Sequence, residues 1–351
     1  MKTYNPPICP FCGRIVSKPT YLPIGFSDLE AGICECGSVY VCDVTGHNRG
    51  TAFVEALLIA CAGDWDFAWD LEYDEDYKEV WIENYDFESH SILPSSEKKR
   101  GVLCFLKLAD EIREVKRDKL ENLFKKPNKN GNIPKVEKRK LSKNEIMDLI
   151  EKDEISLLIA YHVAEPLNLH LLQKFLYYPE IIFRKKVIVT LGKIAQVLVH
   201  IYPEKILELI KRLIYASADS AASAWGALEA VGEIIRNTEE RFSLFIRNLL
   251  AFMDYQEYRP YVLYALFRIA EKNPSILKKH SYLKLLNYIE NNPPEIQGLI
   301  LKIFEKLNSK EILSYLNKID PEETFEFFNY ETFSLEKVFL KDLLESIKKE
   351  F

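Results

Sequence analysis

Several features are scarce or missing in this chain of 351 residues. No apolar stretch approaches the ~18 residues a membrane span needs; the best, Ala56 to Gly63, is far too short. The opening Met1-Lys2-Thr3-Tyr4-Asn5-Pro6-Pro7 has no apolar run of the signal-peptide type, so a cytoplasmic location and no membrane partner are expected. The seven cysteines, an odd number, argue against a secreted disulfide framework. No GK[ST] closes a glycine loop, which excludes a P-loop. Methionine (three) is rare and glutamine equally scarce beside abundant Lys, Glu and Ile, a composition of thermophile type.

What is present is ordinary in bulk and uneven in distribution. With 48% hydrophobic and 28% charged residues the chain has material for two domains of ~150 residues. The net charge of −6 hides two opposed blocks. Asp64 to Glu88 holds eleven acidic residues and a single Lys, a local net of −10. Arg113 to Lys143 holds twelve Lys/Arg against four acidic residues, a local net of +8, interrupted by the breakers of Pro127 to Pro134. These shifts divide the chain into residues 1–112, a basic helix (110–125) and linker reaching 142, and a helical region 143–351. Thr51 to Ala62 reads as a helix capped by Thr51, with Glu55 in its first turn and Gly63 as its stop, and Gly101 to Leu108 as a buried strand.

Five of the cysteines fall within the first 42 residues. Cys9-Pro10-Phe11-Cys12-Gly13 is a knuckle: the tight turn aims both sulfurs at one ion, and the glycine admits a close backbone approach. Cys34-Glu35-Cys36-Gly37 supplies a second pair, one residue tighter than the usual CxxC, which leaves Cys42 or His47 as substitutes for a ligand of that pair. Together the pairs resemble a zinc ribbon, which implies a structural tetrathiolate Zn2+; iron in a rubredoxin-like site suits the same donors. Cys61 and Cys104 sit in apolar contexts and read as core thiols.

The helical region repeats. Phe183 to Ala195, Ser223 to Ile235, Tyr258 to Ala270 and Ile296 to Leu307 carry apolar residues at i, i+3, i+4 and i+7. Aligning Leu191, Val231, Leu266 and Ile303 gives spacings of 40, 35 and 37 residues. Second helices are expected over 203–215, 239–253, 274–289 and 310–319, with 320–351 as a degenerate cap. The text FRKKVIVTLGKIA resembles the VRxxAxxxLGxIx helix of HEAT-like repeats of the phycobilisome-lyase type, with Arg184 and Arg259 in the same register and Trp225, Gly226 and Gly232 in keeping. The resemblance implies a mostly α fold, an α-solenoid of stacked helix pairs behind a small α+β zinc-ribbon-like domain. It implies adaptors, assembly factors, bilin lyases or, more rarely, metal-dependent hydroxylases. The last need His-Glu dyads, and no His-Glu dipeptide occurs.

Other constellations read as structural. Asp43 to Gly50 is expected to be a turn in which Asp and Asn satisfy their own backbone. The acidic aromatic run from Asp64 is expected to be a solvated face with its aromatics inward, or a docking surface. Glu229 and Glu233, four apart beside Trp225, join Arg184 and Arg259 as a candidate partner-binding groove on the solenoid, against a reading in which the arginines bridge repeats through salt links. The expected function is a non-catalytic protein-interaction scaffold or assembly factor with a protein or peptide partner. The alternatives are an iron or redox cofactor-handling protein using the N-terminal cysteines, and a nucleic-acid binder through 113–143, which the net negative charge disfavours.

Overall fold

The structure, a computed structural model, describes residues 5–21, 29–94, 101–114, 133–218 and 225–350. It is mostly helical with small sheets, and it divides into two compact units, Met1–Asn128 and Lys129–Phe351. Among the described residues no helix is long and apolar enough to cross a membrane.

The first unit runs β1 (Thr20–Tyr21), β2 (Glu30–Ile33), β3 (Val39–Asp43), α1 (Arg49–Ala60), α2 (Trp65–Trp69), β4 (Tyr77–Ile82), β5 (Tyr85–Asp86), β6 (Ser91–Ile92) and β7 (Val102–Leu108). Five strands form one antiparallel sheet in the order β1-β2-β3-β7-β4, and β5 pairs with β6. The run Val102 to Leu106 is fully buried because β7 lies at the inside of the sheet with both faces covered. Tyr40, Cys42, Leu103 and Phe105 face one side and cluster with Cys9, Val16 and Cys34. Alternation leaves Val41, Cys104 and Leu106 for the side where α1 packs on β3 and β7.

Helix α1 begins at Arg49, so Thr51 lies inside it rather than capping it, and Glu55 is 1% exposed rather than solvated. The Asp43 carboxylate organises the approach, accepting from the Thr45 N–H (3.0 Å) and Oγ1 (2.8 Å) and from the Asn48 N–H (2.6 Å). The helix stops as expected of Gly63: Ala62 and Gly63 take φ of 55° and 79°, and the Gly63 N–H returns to the Leu58 carbonyl at 2.8 Å.

Among the described residues no self-standing zinc-ribbon domain is found. The two cysteine knuckles are turns attached to the five-stranded sheet and share its core, because β3 runs directly from the second knuckle into that sheet. At the end of the basic helix and linker expected over 113–142, Leu141 is buried and its N–H donates to Asn168 Oδ1 at 2.9 Å, inside the second unit. Residues 110–114 are helical, while the rest of the helix expected to 125 lies outside the described residues.

The second unit runs α3 (Lys143–Glu151), α4 (Ile155–Ala164), α5 (Asn168–Lys174), α6 (Ile181–Leu198), α7 (Pro203–Ala218), α8 (Ala227–Asn237), α9 (Ile246–Ala251), α10 (Arg259–Lys272), α11 (Pro274–Lys278), α12 (Pro294–Leu307), β8 (Thr324–Asn329), β9 (Ser334–Phe339) and α13 (Leu340–Glu350). The four aligned segments become α6, α8, α10 and α12, and each packs on the next. The spaces between neighbours are narrow: a Cβ on Gly232 would lie 2.6 Å from the Ala265 Cα, and one on Gly192 would lie 2.9 Å from the Glu233 carbonyl oxygen. The second helices shorten along the chain. After α7 they break into 3-10 turns, at Glu239–Phe245, Tyr282–Tyr288 and Lys310–Lys318. Where a degenerate cap was expected over 320–351, β8 and β9 form a hairpin followed by α13. Phe325 of the hairpin occupies the space where a Cβ on Gly298 would stand, only 2.1 Å from its ring. Phe327 stacks on Tyr264 at 5.8 Å and meets Phe267 edge-on at 5.3 Å.

Candidate metal centre

The first knuckle closes because Gly13, at φ 74°, turns back its N–H to the Cys9 carbonyl at 2.9 Å. Gly37, at φ 83°, does the same for the second, donating to the Cys34 carbonyl at 2.8 Å. The result brings the sulfurs of Cys9, Cys12, Cys34 and Cys36 within 4.8 Å of one another. Across the knuckles Cys9 Sγ lies 3.7 Å from Cys36 Sγ, and Cys12 Sγ lies 3.5 Å from Cys34 Sγ. A tetrahedral ion with bonds of ~2.3 Å requires an edge of about 3.8 Å, close to these two separations, so the four sulfurs form a donor set that could hold one thiophilic cation.

The sulfurs are also furnished with donors. Backbone N–H groups of Phe11 and Cys12 point at Cys9, that of Cys36 at Cys34, and that of Ser38 at Cys36. The Ser38 hydroxyl, fully buried, lies 3.2 Å from Cys9 Sγ and 3.4 Å from Cys36 Sγ. Burial pushes the Cys34 thiol up to about 12 and also raises Cys9. At Cys36 burial acts in the same sense, but hydrogen bonds from Ser38, with Cys12 and Cys9, outweigh it and bring the thiol down to about 6. One thiolate is therefore stabilised before any ion arrives, and a cation supplies the charge that lets the other protons leave.

Residues outside the cysteines brace the centre. Arg14 and Glu35 pair from one knuckle to the other, and Arg113 donates to the Cys36 carbonyl at 2.7 Å. Neither Cys42 nor His47 joins the cluster. Cys42 is turned by strand alternation into the core, where burial raises its thiol to about 12, and His47 lies exposed in the loop after β3. Cys61 and Cys104 are fully buried core thiols. Ser38 and Arg113 were missed by sequence reasoning. Ser38 follows the CxCG turn directly and was open to recognition as a sulfur donor; Arg113 lies 77 residues from Cys36 with no local signal.

The residues of the expected groove do not line one open surface. Glu229 and Glu233 are 3% and 1% exposed. Glu229 binds Lys185 Nζ at 2.5 Å and the hydroxyl of Tyr330, which the hairpin carries in from the C-terminal end. Lys185 Nζ also reaches that hydroxyl at 3.2 Å. Glu233 pairs with Arg268 Nε at 2.5 Å and receives Asn237 Nδ2 at 3.1 Å. Burial lowers the Lys185 ammonium and raises the Tyr330 phenol, in each case opposing the charged form. Space that sequence reasoning left for a ligand is filled by the chain's own tyrosine.

Arg184 and Arg259 make no repeat-to-repeat salt link among the interactions resolved. Each donates to the carbonyl six residues earlier, Tyr178 at 2.6 Å and Met253 at 2.9 Å. Each also stacks on an aromatic ring further along the chain, Trp225 and Tyr288, both at 4.9 Å. Trp225 itself has φ 30°. The stretch of small residues from Ala216 to Ala224 lies outside the described residues from 219 onward. His90 is a tie: Nε2 donates to the Val16 carbonyl and Nδ1 accepts from the Tyr85 hydroxyl, both at 2.9 Å.

No family model matches the chain, and no curated protein or solved structure is similar to it.

Proposed function

We propose that this chain is a non-catalytic interaction scaffold or assembly factor whose N-terminal unit is fixed by a structural zinc ion on Cys9, Cys12, Cys34 and Cys36. The observation that carries the reading is the four-sulfur cluster, at the edge length of a tetrahedral thiolate site and tied on every side to backbone, Ser38 and Arg113. A site closed by four protein ligands keeps no open position for substrate, which is the structural rather than the catalytic pattern of zinc. Bound there, the ion cross-links two turns that share the sheet's core.

The second unit is proposed to be a HEAT-like α-solenoid. Support comes from the successive packing of α6, α8, α10 and α12 and from Arg184 and Arg259, each of which donates to the carbonyl six residues earlier. A protein or peptide partner would be met on its outer surface, where Tyr215 and Tyr255 stand exposed, rather than at the buried Glu229 and Glu233. A cytoplasmic setting suits free thiols held by metal.

The test is removal of the metal from the full chain with a thiol-competing chelator, followed by near- and far-ultraviolet circular dichroism. The scaffold reading expects a colourless protein that loses near-ultraviolet signal with little loss of helix. An iron chromophore bleached by dithionite would replace it with the redox reading. Against the nucleic-acid reading stand the net charge of −6 and the engagement of Arg113 on the Cys36 carbonyl; residues 115–132 of its basic segment lie outside the described residues.

A further inference from the structure

The acidic aromatic run, left without a role by the metal centre, folds into a built cleft. It lies between the first turn of α1 and strand β4, has a volume of about 420 Å3, and is lined by Arg49, Phe53, Tyr73, Tyr77, Glu79 and Trp81. Tyr77, Glu79 and Trp81 alternate along β4 and so share one face. The rings stand as separate walls: Tyr73 meets Tyr77 at 71° with centroids 5.8 Å apart, and Phe53 meets Tyr77 at 44° and 6.0 Å. Glu79 lines the cleft beside these rings; burial raises the Tyr77 phenol, and the nearby Glu79 charge raises it further.

Two observations set the sign of the ligand. A cation already sits on one wall, for the Arg49 guanidinium lies 5.6 Å from the Trp81 ring and is held at the rim by Glu83 at 2.8 Å. The segment that forms most of the cleft, Asp64 to Glu88, carries a net charge of −10. Aromatic faces present negative charge, and with a carboxylate among them they favour a weakly hydrated cation over a neutral or anionic group. The cleft is open on the Tyr73 side, where that ring is 61% exposed, so it admits a group still attached to a chain.

We propose that this cleft binds the methylated ammonium of a lysine side chain presented by a partner protein. The alkylated nitrogen rests on Tyr73, Tyr77 and Phe53 with Glu79 as its counter-charge, and the lysine stem leaves past Tyr73. The inference gives the scaffold reading a partner chemistry and rests on it.

The test is a tryptophan-fluorescence titration of the full chain with a short peptide carrying one trimethyllysine. Controls are the same peptide with unmodified lysine and with the uncharged carbon isostere of trimethyllysine, and free tetramethylammonium. Binding of the trimethylated peptide about tenfold tighter than the isostere is expected. Tyr73→Ala and Glu79→Gln, both at positions that carry no fold-defining contact to the metal centre, are expected to lower that affinity by a similar factor. Arg49→Ala, which removes the resident cation from Trp81, is expected to raise it. Equal binding of the isostere, tighter binding of unmodified lysine, or weaker binding in Arg49→Ala would overturn the proposal, as would tetramethylammonium matching the peptide, which would make the ligand a free cation. Metal content measured on the same samples separates the two readings: lost cleft binding with the metal retained rejects the cleft alone.

Discussion

Ser38 has a single hydroxyl shared between two sulfurs, and that position decides how the thiolates are held. Removing it takes the buried hydroxyl away from Cys9 Sγ, 3.2 Å off, and from Cys36 Sγ, which donates to it at 3.4 Å. Ser38→Ala is expected to weaken metal binding by roughly ten- to a hundredfold, the usual effect of losing a group that orients metal ligands. Competition against a chromophoric chelator measures it, and an unchanged affinity would remove Ser38 from the site. A second residue acts through pH. His162 is fully buried and its Nδ1–H donates to the Leu158 carbonyl at 2.7 Å; burial lowers the imidazole to about 4 from 6.5. Because the folded value lies below the unfolded one, the unfolded chain takes the proton first. Stability is thus complete above pH ~6.5 and falls as pH drops toward 4, by on the order of 3 kcal/mol. His162→Phe is expected to lose this dependence, so the denaturant midpoint of the native chain should fall relative to that of the variant as pH drops through that window. A constant gap would contradict it.

At the scale of elements, the close approach of helices rests on glycine. Gly232→Ala would drive a methyl into Ala265, and Gly298→Ala into Phe325. Both are expected to destabilise by ~1–3 kcal/mol through forced shifts of packed neighbours. Gly298→Ala should in addition loosen the hairpin, read as faster proteolysis near β8 and β9. The buried Lys185–Glu229 pair with Tyr330 makes a sharper case. Lys185→Met strands a buried carboxylate and is expected to cost ~3–5 kcal/mol, whereas Lys185→Met with Glu229→Leu should recover most of it. Additive losses in the thermal unfolding of the double variant would mean that the pair is not coupled. The repeating helices were legible because their apolar period is local, and Leu191, Val231, Leu266 and Ile303 each lie buried as aligned. The second helices were less so: apolar spacing at i and i+3, as in Tyr282 and Leu285, suits a 3-10 turn as well as an α-helix. The groove at Glu229 was misjudged for another reason. Its filler, Tyr330, arrives from 101 residues away, and no periodicity announces such a contact.

For the whole molecule, the four ligands were readable because each pair is made by one short turn, while the choice against Cys42 needed the strand. Once Val39–Asp43 pairs with β7, alternation commits Cys42 to the core beside Leu103. A separate ribbon was expected because the knuckles resemble one. In the fold their core is continuous with a five-stranded sheet that draws β7 from some sixty residues further along the chain. Metal and sheet are therefore expected to stabilise each other in the N-terminal unit, so Cys12→Ser, the exposed ligand, should abolish stoichiometric binding and lower the melting temperature of that unit. The most direct measurement is the metal content of the freshly purified full chain, with a visible spectrum of the same sample. The account predicts a single zinc per chain, no colour, and four thiols protected from alkylation until the metal is removed. A metal-free protein whose sheet signal is intact, or one carrying iron with a thiolate charge-transfer band, would contradict it.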